Sequence, residues 1–323
     1  MLGTLKWSAG RVLSALLTLF GVSVIIFVAV RLMPGGFEDI ILGPLATEAE
    51  RARLAAAYGL DQPVIIQYFA WITQLLRGDL GISLVTQTPV SAELAQRIPV
   101  TAMLASMAIV ATLVVGIPLG IYTGVRASAR RGGAAARIVS SLGISVPEFV
   151  LGSIVVYLFS RFSLGLQVGG FARVGESFGA TFTALLLPAL VLTVFCVAAT
   201  ARTTRDAVMN VLVEPYIGAA VARGETPWYI VRHHVIRNAG IPILTLLGTI
   251  TAYLLGGAVI VETLFNIPGL GSFMVTGLDR RDFAVVQAAV LFAASVFIIV
   301  SLVLDLVTSA IDPRVAIVGG RKK

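Results

Sequence analysis

The sequence predicts an all-α protein that crosses a membrane six times, and three observations carry that prediction. The chain is 57% hydrophobic with 13% charged residues, and its mean hydropathy of +0.95 is too high for a water-soluble domain of ordinary composition. Its apolar residues gather in runs near the roughly 20 residues needed to cross about 30 Å of hydrocarbon. Its charges fall mainly between those runs, with a one-sided bias.

The expected spans are residues 12–32, 100–125, 138–159, 185–200, 241–261 and 283–311, the fourth being the shortest. Lys6 and Arg11 precede the first run as in a secretory signal. Its apolar core is too long for one, however, and no small-residue cleavage site follows, so it reads as a span. With an inside N-terminus, fifteen of the 24 basic residues fall on inside segments: Lys6 and Arg11, four between Arg126 and Arg137, five between Arg202 and Arg237, and four from Arg314 onward. The connection 34–98 carries seven acidic residues against four basic. The positive-inside rule then puts both termini in the cytoplasm. The net charge of +7 follows this topology and needs no nucleic-acid partner.

Four regions result: 1–33, the N-terminal end and first span; 34–97, an external helical segment; 98–311, spans two to six; and 312–323, a cytoplasmic tail. In the external segment Thr47 and Glu50 form a capping box ahead of "RARLAAAYG", which Gly59 stops. A second helix opens at Pro63 and places Ile65, Tyr68, Phe69, Ile72, Leu75 and Leu76 at helical spacing before Gly78. That pattern suits a helix packed on the membrane domain or a surface that meets solute.

The chain carries no phosphate-binding Gly-Lys-Ser/Thr loop, no His/Glu metalloprotease helix and no Ser/His/Asp set. No catalytic residue is therefore assigned. His233 and His234 are the only histidines. As helix neighbours they point about 100° apart, a poor metal pair, and no metal site is assigned. Cys196 is the only cysteine, which excludes an intramolecular disulfide and reads as lipid-embedded packing.

Residues 202–238 form an expected cytoplasmic loop long enough for two helices. "RDAVMNVLVEPYIGAAVARG" ends on Arg223, a cation suited to the helix dipole, and on Gly224, a stop. Thr226 and Pro227 supply a cap and a first-turn proline that restart a helix along "WYIVRHHVIRNAG". The small residues Gly218, Ala219 and Ala220 permit close approach by a partner; a basic interfacial helix resting on anionic lipid is the other reading.

These residues carry a resemblance. Gly218, Ala219, Ala220 and Gly224 fall at the spacing of the "EAA, three residues, Gly" loop of type I ABC-importer permeases. The fuller "YIGAAVARGETPWYIVRHHVIRNAGIP" is similar to the dipeptide and oligopeptide permease family, with His234, Arg237, Asn238, Ala239 and Pro242 supplying its ending. "RLMPGG", "YGLDQPVIIQYFAWITQLLRGDLGISL", "PVSAELAQRIPVTAMLA", "VPEFVLG", "LLLPALVLT", "FNIPGLGSFMVTGLDRRDFAVVQAAVL" and "IDPR" continue it in order along nearly the whole chain.

The resemblance implies the first of two six-span permease subunits in a bacterial or archaeal inner membrane. It further implies two ATPase subunits, or one fused pair, that carry ATP and Mg, together with an external solute-binding protein. Gly218 to Gly224 would be the coupling helix that docks on the ATPase, and this chain would hold no cofactor. Gly218 stands where the general motif has Glu, which shifts the expected polar contact to Arg223. "PGG" and "LGLQVGGFARVGESFG" also depart from the family pattern and bear on external contacts. Members of the family carry dipeptides, oligopeptides, glutathione, nickel complexes, opines and some sugars.

Glu148 stands eleven residues beyond Arg137, roughly mid-membrane at 1.5 Å per residue, beside the helix-kinking Pro147. An intramembrane acid is a functional candidate. Glu148 either faces the translocation path, where it would meet a cationic solute, or pairs structurally with a neighbouring group. A self-contained secondary transporter using Glu148 is the alternative function, though no internal repeat is visible. Asp305 reads as a bundle-facing acid, and Gly116, Gly120, Gly256 and Gly257 as sites of close helix approach. Asp279, Arg280, Arg281 and Asp282 read as a solvated external turn or part of a docking face.

Overall fold

The computed structural model describes residues 2–32, 42–43, 46–57, 59–128, 143–162, 165–166, 169, 171 and 177–311. It begins with α1 (Leu2–Arg31), then α2 (Glu48–Ala57) and α3 (Val64–Leu76). Next come α4 (Val90–Ala111), a π-helical turn (Thr112–Gly116) and α5 (Ile117–Ser128). After these lie α6 (Glu148–Phe162), α7 (Phe178–Leu212) and α8 (Pro215–Ala222). The short α9 (Pro227–Ile230) runs through a second π-helical turn (Val231–Val235) into α10 (Ile236–Leu264). Helices α11 (Leu270–Asp279) and α12 (Phe283–Ile311) complete the order.

Among the described residues five helical stretches are long and apolar enough to cross a membrane: Trp7–Arg31, Val90–Ala127, Phe178–Leu212, Pro242–Leu264 and Phe283–Ser309. The described part of the third expected span is shorter. Gly143 to Ser145 are helical, Val146 and Pro147 interrupt, and α6 restarts at Glu148. Arg130, Arg131, Arg137 and residues 138–142 lie outside the described residues. So do the "PGG" at 34–36 and the tail 312–323.

Two spans differ from the sequence reading. The second begins at Val90, ten residues before the expected start, with Pro99 inside the helix. Burial of Val90 and Leu94 against Leu270, Phe273 and Val285 holds those first turns in place. The fourth, expected to be the shortest, is the 35-residue α7. Arg202, Arg205 and Asp206 end the apolar run without ending the helix. At 1.5 Å per residue α7 is about 50 Å long, so it runs well beyond the hydrocarbon.

The core lies where α4, α7 and α10 meet, around Leu104, Leu185, Leu192, Cys196, Leu254 and Val261. Cys196 thus packs against protein rather than lipid. Alongside, α5 crosses α7 on a stripe of glycines: a Cβ on Gly120 would stand 2.5 Å from the Thr204 Cβ and 2.7 Å from the Ala201 carbonyl oxygen. On the same stripe a Cβ on Gly116 would stand 3.0 Å from Thr200 and one on Gly124 2.8 Å from Val208. Gly256 has open space beside it, whereas Gly257 lies against the Glu148 carboxylate. Substitution Gly120→Leu is expected to cost about 2–3 kcal/mol by overpacking. Thermal unfolding of the solubilised protein measures it against Gly10→Leu, which meets open space; equal shifts in both would count against a close α5–α7 contact.

The segment between α1 and α4 is less detached than an external subdomain implies. The capping box forms, with the Thr47 amide donating to Glu50 at 2.9 Å, and Gly59 takes φ +65°. Pro63 stands one residue ahead of the first turn of α3. Tyr68 shares a 2.7 Å hydrogen bond with Ser23, and Phe27 of α1 meets both Tyr68 and Trp71. Ser23 is eight residues below Arg31, about 12 Å along the helix, so α3 lies beside the apolar span of α1.

Candidate functional site

The candidate site is built at the end of the bundle where α7 finishes and α10 begins. Val213 and Glu214 break the chain, and Pro215 starts α8 at a position where its missing N–H costs nothing. Ile217 and Ala220 turn inward onto Val208, Val211, Ile230, Val235 and Ala239. By helical periodicity Gly218, Ala219, Val221 and Ala222 face out, and all four are exposed. Around them Val213, Val221 and Trp228 are 80%, 60% and 71% exposed. This surface is apolar although no neighbour among the described residues covers it.

Helix α8 ends in a Schellman turn. Gly224 takes φ +82°, its amide donates to the Val221 carbonyl at 2.9 Å and the Glu225 amide to the Ala220 carbonyl at 3.2 Å. That left-handed backbone is why a glycine stands there. Thr226 then accepts from the Tyr229 amide and Pro227 opens α9. The expected loop 202–238 is therefore mostly helix, broken only at Val213–Glu214 and between Ala222 and Pro227. The hydrophobic run had ended at residue 200, but the helices on either side continue because the α8 layer buries their inner faces.

Glu225 ties the turn together. Arg223 donates to its Oε1 from Nε at 3.1 Å and from Nη2 at 2.6 Å, and His234 is hydrogen-bonded to its Oε2 at 2.9 Å. These partners, the Arg223 hydrogen bonds first, hold the half-buried Glu225 carboxyl below the usual carboxylate range. The link is thus fully present above the ordinary carboxylate pKa and is lost as pH falls through the depressed value. His233 stacks on Tyr229 at 4.1 Å. Among the described residues no three His, Cys, Asp or Glu side chains gather as a metal site.

Glu148 and Pro147 lie elsewhere, where α6 restarts beside α10. Pro147 precedes the helix and Glu148 occupies its first turn. The Tyr253 hydroxyl donates to Glu148 Oε2 at 2.7 Å, and Tyr253 stacks on Phe195 with centroids 4.0 Å apart. The acid is half-buried and partnered, so it links α6 to α10.

One acid, Glu262, escaped the sequence reading, and a second, Asp282, was misplaced by it. Glu262, with no exposed surface, accepts from the Thr101 hydroxyl at 2.5 Å and the Ser272 amide at 3.0 Å. Thr101 in turn accepts from the Leu270 amide at 2.8 Å. One carboxyl group thereby joins α4, α10 and α11. The available signal was an acid closing an apolar run just before "FNIPGLGS". Asp282, expected on a solvated turn, is 1% exposed and accepts from Ser83 Oγ at 2.5 Å and the Val85 amide at 3.3 Å. Asp279, Arg280 and Arg281 are exposed as expected.

Comparison with known proteins covers nearly the whole chain. The family described as binding-protein-dependent transport system inner membrane component matches residues 116–317, and its N-terminal counterpart matches residues 4–105. The chain is 36% identical to a probable peptide ABC transporter permease protein, y4tP, of Sinorhizobium fredii, over 94% of this chain and 97% of that one. It is 35% identical to the glutathione transport system permease protein GsiC of Salmonella choleraesuis, over 96% and 99%. The Escherichia coli K12 protein of the same name is 34% identical over the same shares.

Proposed function

The chain belongs to the family of binding-protein-dependent transport system inner membrane components, and from that premise we propose that it is one of two permease subunits of a type I ABC importer. With its sister subunit it forms the path for a peptide or similar small solute delivered by an external binding protein. Two ATPase subunits, or a fused pair, bind ATP and Mg on the cytoplasmic side, where both termini of this chain also lie.

One observation carries the reading: α8 presents an uncovered apolar face while its inner face is packed between α7 and α10. A partner that moves α8 moves two helices that cross the membrane. Gly218, Ala219, Val221 and Trp228 form the contact, and Gly218 removes the side chain that a glutamate would place there. Arg223 contributes mainly through Glu225, since its guanidinium is already bound to that carboxylate. Thr226 and Pro227 set the angle at which α9 leaves the site.

The test is uptake into vesicles holding this chain, its sister permease and the ATPase, with an ATPase-dead control. ATP-dependent uptake is expected. Uptake driven by an ion gradient without ATP would restore the secondary-transporter alternative. Glu148, beside Pro147, is proposed to face the path on its open side. Glu148→Gln keeps an acceptor for Tyr253 and so leaves assembly intact, while uptake of cationic solutes falls roughly tenfold relative to neutral ones, the worth of one charged hydrogen bond. Unchanged relative uptake would leave Glu148 a purely structural link.

A further inference from the structure

A cleft of about 500 Å³ opens between the first turns of α1, the first half of α10 and the last turns of α12. Its rim holds Trp7, Arg11, Asp305 and Thr308, and its walls include Leu244 and Phe297. Arg11 and Asp305 pair at 3.4 Å with side chains 47% and 39% exposed. That is longer than a charge-assisted hydrogen bond of about 2.8 Å, so both groups keep bonding capacity toward a ligand.

The depth of this rim is set by chain geometry. Arg11 stands twenty residues from Arg31 on one helix, about 30 Å, the thickness of the hydrocarbon layer. Asp305 stands at the matching end of α12, 22 residues or about 33 Å from Phe283. The charged pair therefore sits at the headgroup level and the apolar walls reach into the acyl region.

We propose that this cleft binds a phospholipid with a primary ammonium headgroup, phosphatidylethanolamine in chemistry, its phosphate on Arg11 and its ammonium on Asp305. A guanidinium carries five donors, enough to hold Asp305 and a phosphate together. The ammonium donates to a carboxylate, which a choline group without N–H cannot do. Cation–π capture of choline by Trp7 is pre-empted, because Arg11 already covers that ring at 5.4 Å. A purely anionic headgroup would meet the repulsion of Asp305. The acyl chain lies against Leu244 and Phe297.

The test uses the full chain purified in mild detergent as its native complex, stripped of lipid and titrated with an equimolar mixture of phosphatidylethanolamine, phosphatidylcholine and phosphatidylglycerol. Native mass spectrometry reads the lipid retained. Phosphatidylethanolamine is expected to be preferred roughly tenfold, the worth of one charge-assisted hydrogen bond, and Asp305→Asn to abolish the preference. Ser301→Phe, which fills the cleft without touching the charges, is expected to lose the bound lipid. Equal retention of the three lipids, or a preference that survives both variants, would overturn the proposal. So would efficient cross-linking of a Ser301→Cys variant to another subunit, since protein would then fill the cleft.

Discussion

Replacing Glu262 by alanine is expected to destabilise the protein by about 3 kcal/mol, roughly a hundredfold in the folding equilibrium. The cost arises because two partners lose their acceptor in a fully buried site. The Thr101 hydroxyl and the Ser272 amide now donate to that carboxyl group, and each unsatisfied buried donor costs about 1–3 kcal/mol. Gly269 and Gly271 crowd the same group, a Cβ on Gly269 falling well inside van der Waals contact distance of the carboxylate, so the site has little freedom to collapse. Glu262→Gln keeps one acceptor and is expected to cost about half as much. Thermal unfolding of both variants and of Thr101→Val, combined as a double-mutant cycle, measures the coupling. A Glu262→Ala variant within 0.5 kcal/mol of the parent, a threshold set by ordinary surface substitutions, would rule out this role.

Gly224→Pro is expected to separate ATP hydrolysis from uptake while membrane insertion stays normal. Proline cannot adopt φ +82° and has no amide for the Val221 carbonyl, so the Schellman turn opens and Glu225 is drawn away from His234. Helix α8 then remains helical but is no longer rigidly joined to α10. Coupling free energies of 1–3 kcal/mol correspond to a roughly 5- to 150-fold loss of uptake per ATP hydrolysed. Arg223→Glu tests the same joint by a different route, placing a second carboxylate against Glu225 in place of a 2.6 Å ion pair. Parallel assays of hydrolysis and uptake in reconstituted vesicles check both variants. Normal stoichiometry in the two together would remove the joint from the mechanism.

Much of the architecture was readable because each signal is local. A run of apolar residues announces a span whatever it packs against, and Thr47 with Glu50, Gly224, and Thr226 with Pro227 each satisfy nearby backbone groups. The same locality explains the misreadings. Arg202, Arg205 and Asp206 end an apolar run, yet a helix continues wherever one face is covered, and the cover for α7 comes from Ile217, Ala220 and Val235. Residues 90–99 became helix through contacts with Leu270 and Val285, some 180 residues away. Glu262 and Asp282 resemble any acids at the ends of spans until Thr101 and Ser83 are brought to them.

By itself, then, the sequence determined the class of protein, the order of its spans, its family and the turn at Gly224. Those depend on transfer of side chains from water and on backbone geometry within a few residues. Only the tertiary structure decided how far α7 extends, that Arg223 is held by Glu225, that Glu148 is bound to Tyr253 and that Glu262 joins three helices. A polar group buried away from water must find its partner wherever the fold supplies one, and sequence distance carries no information about that choice.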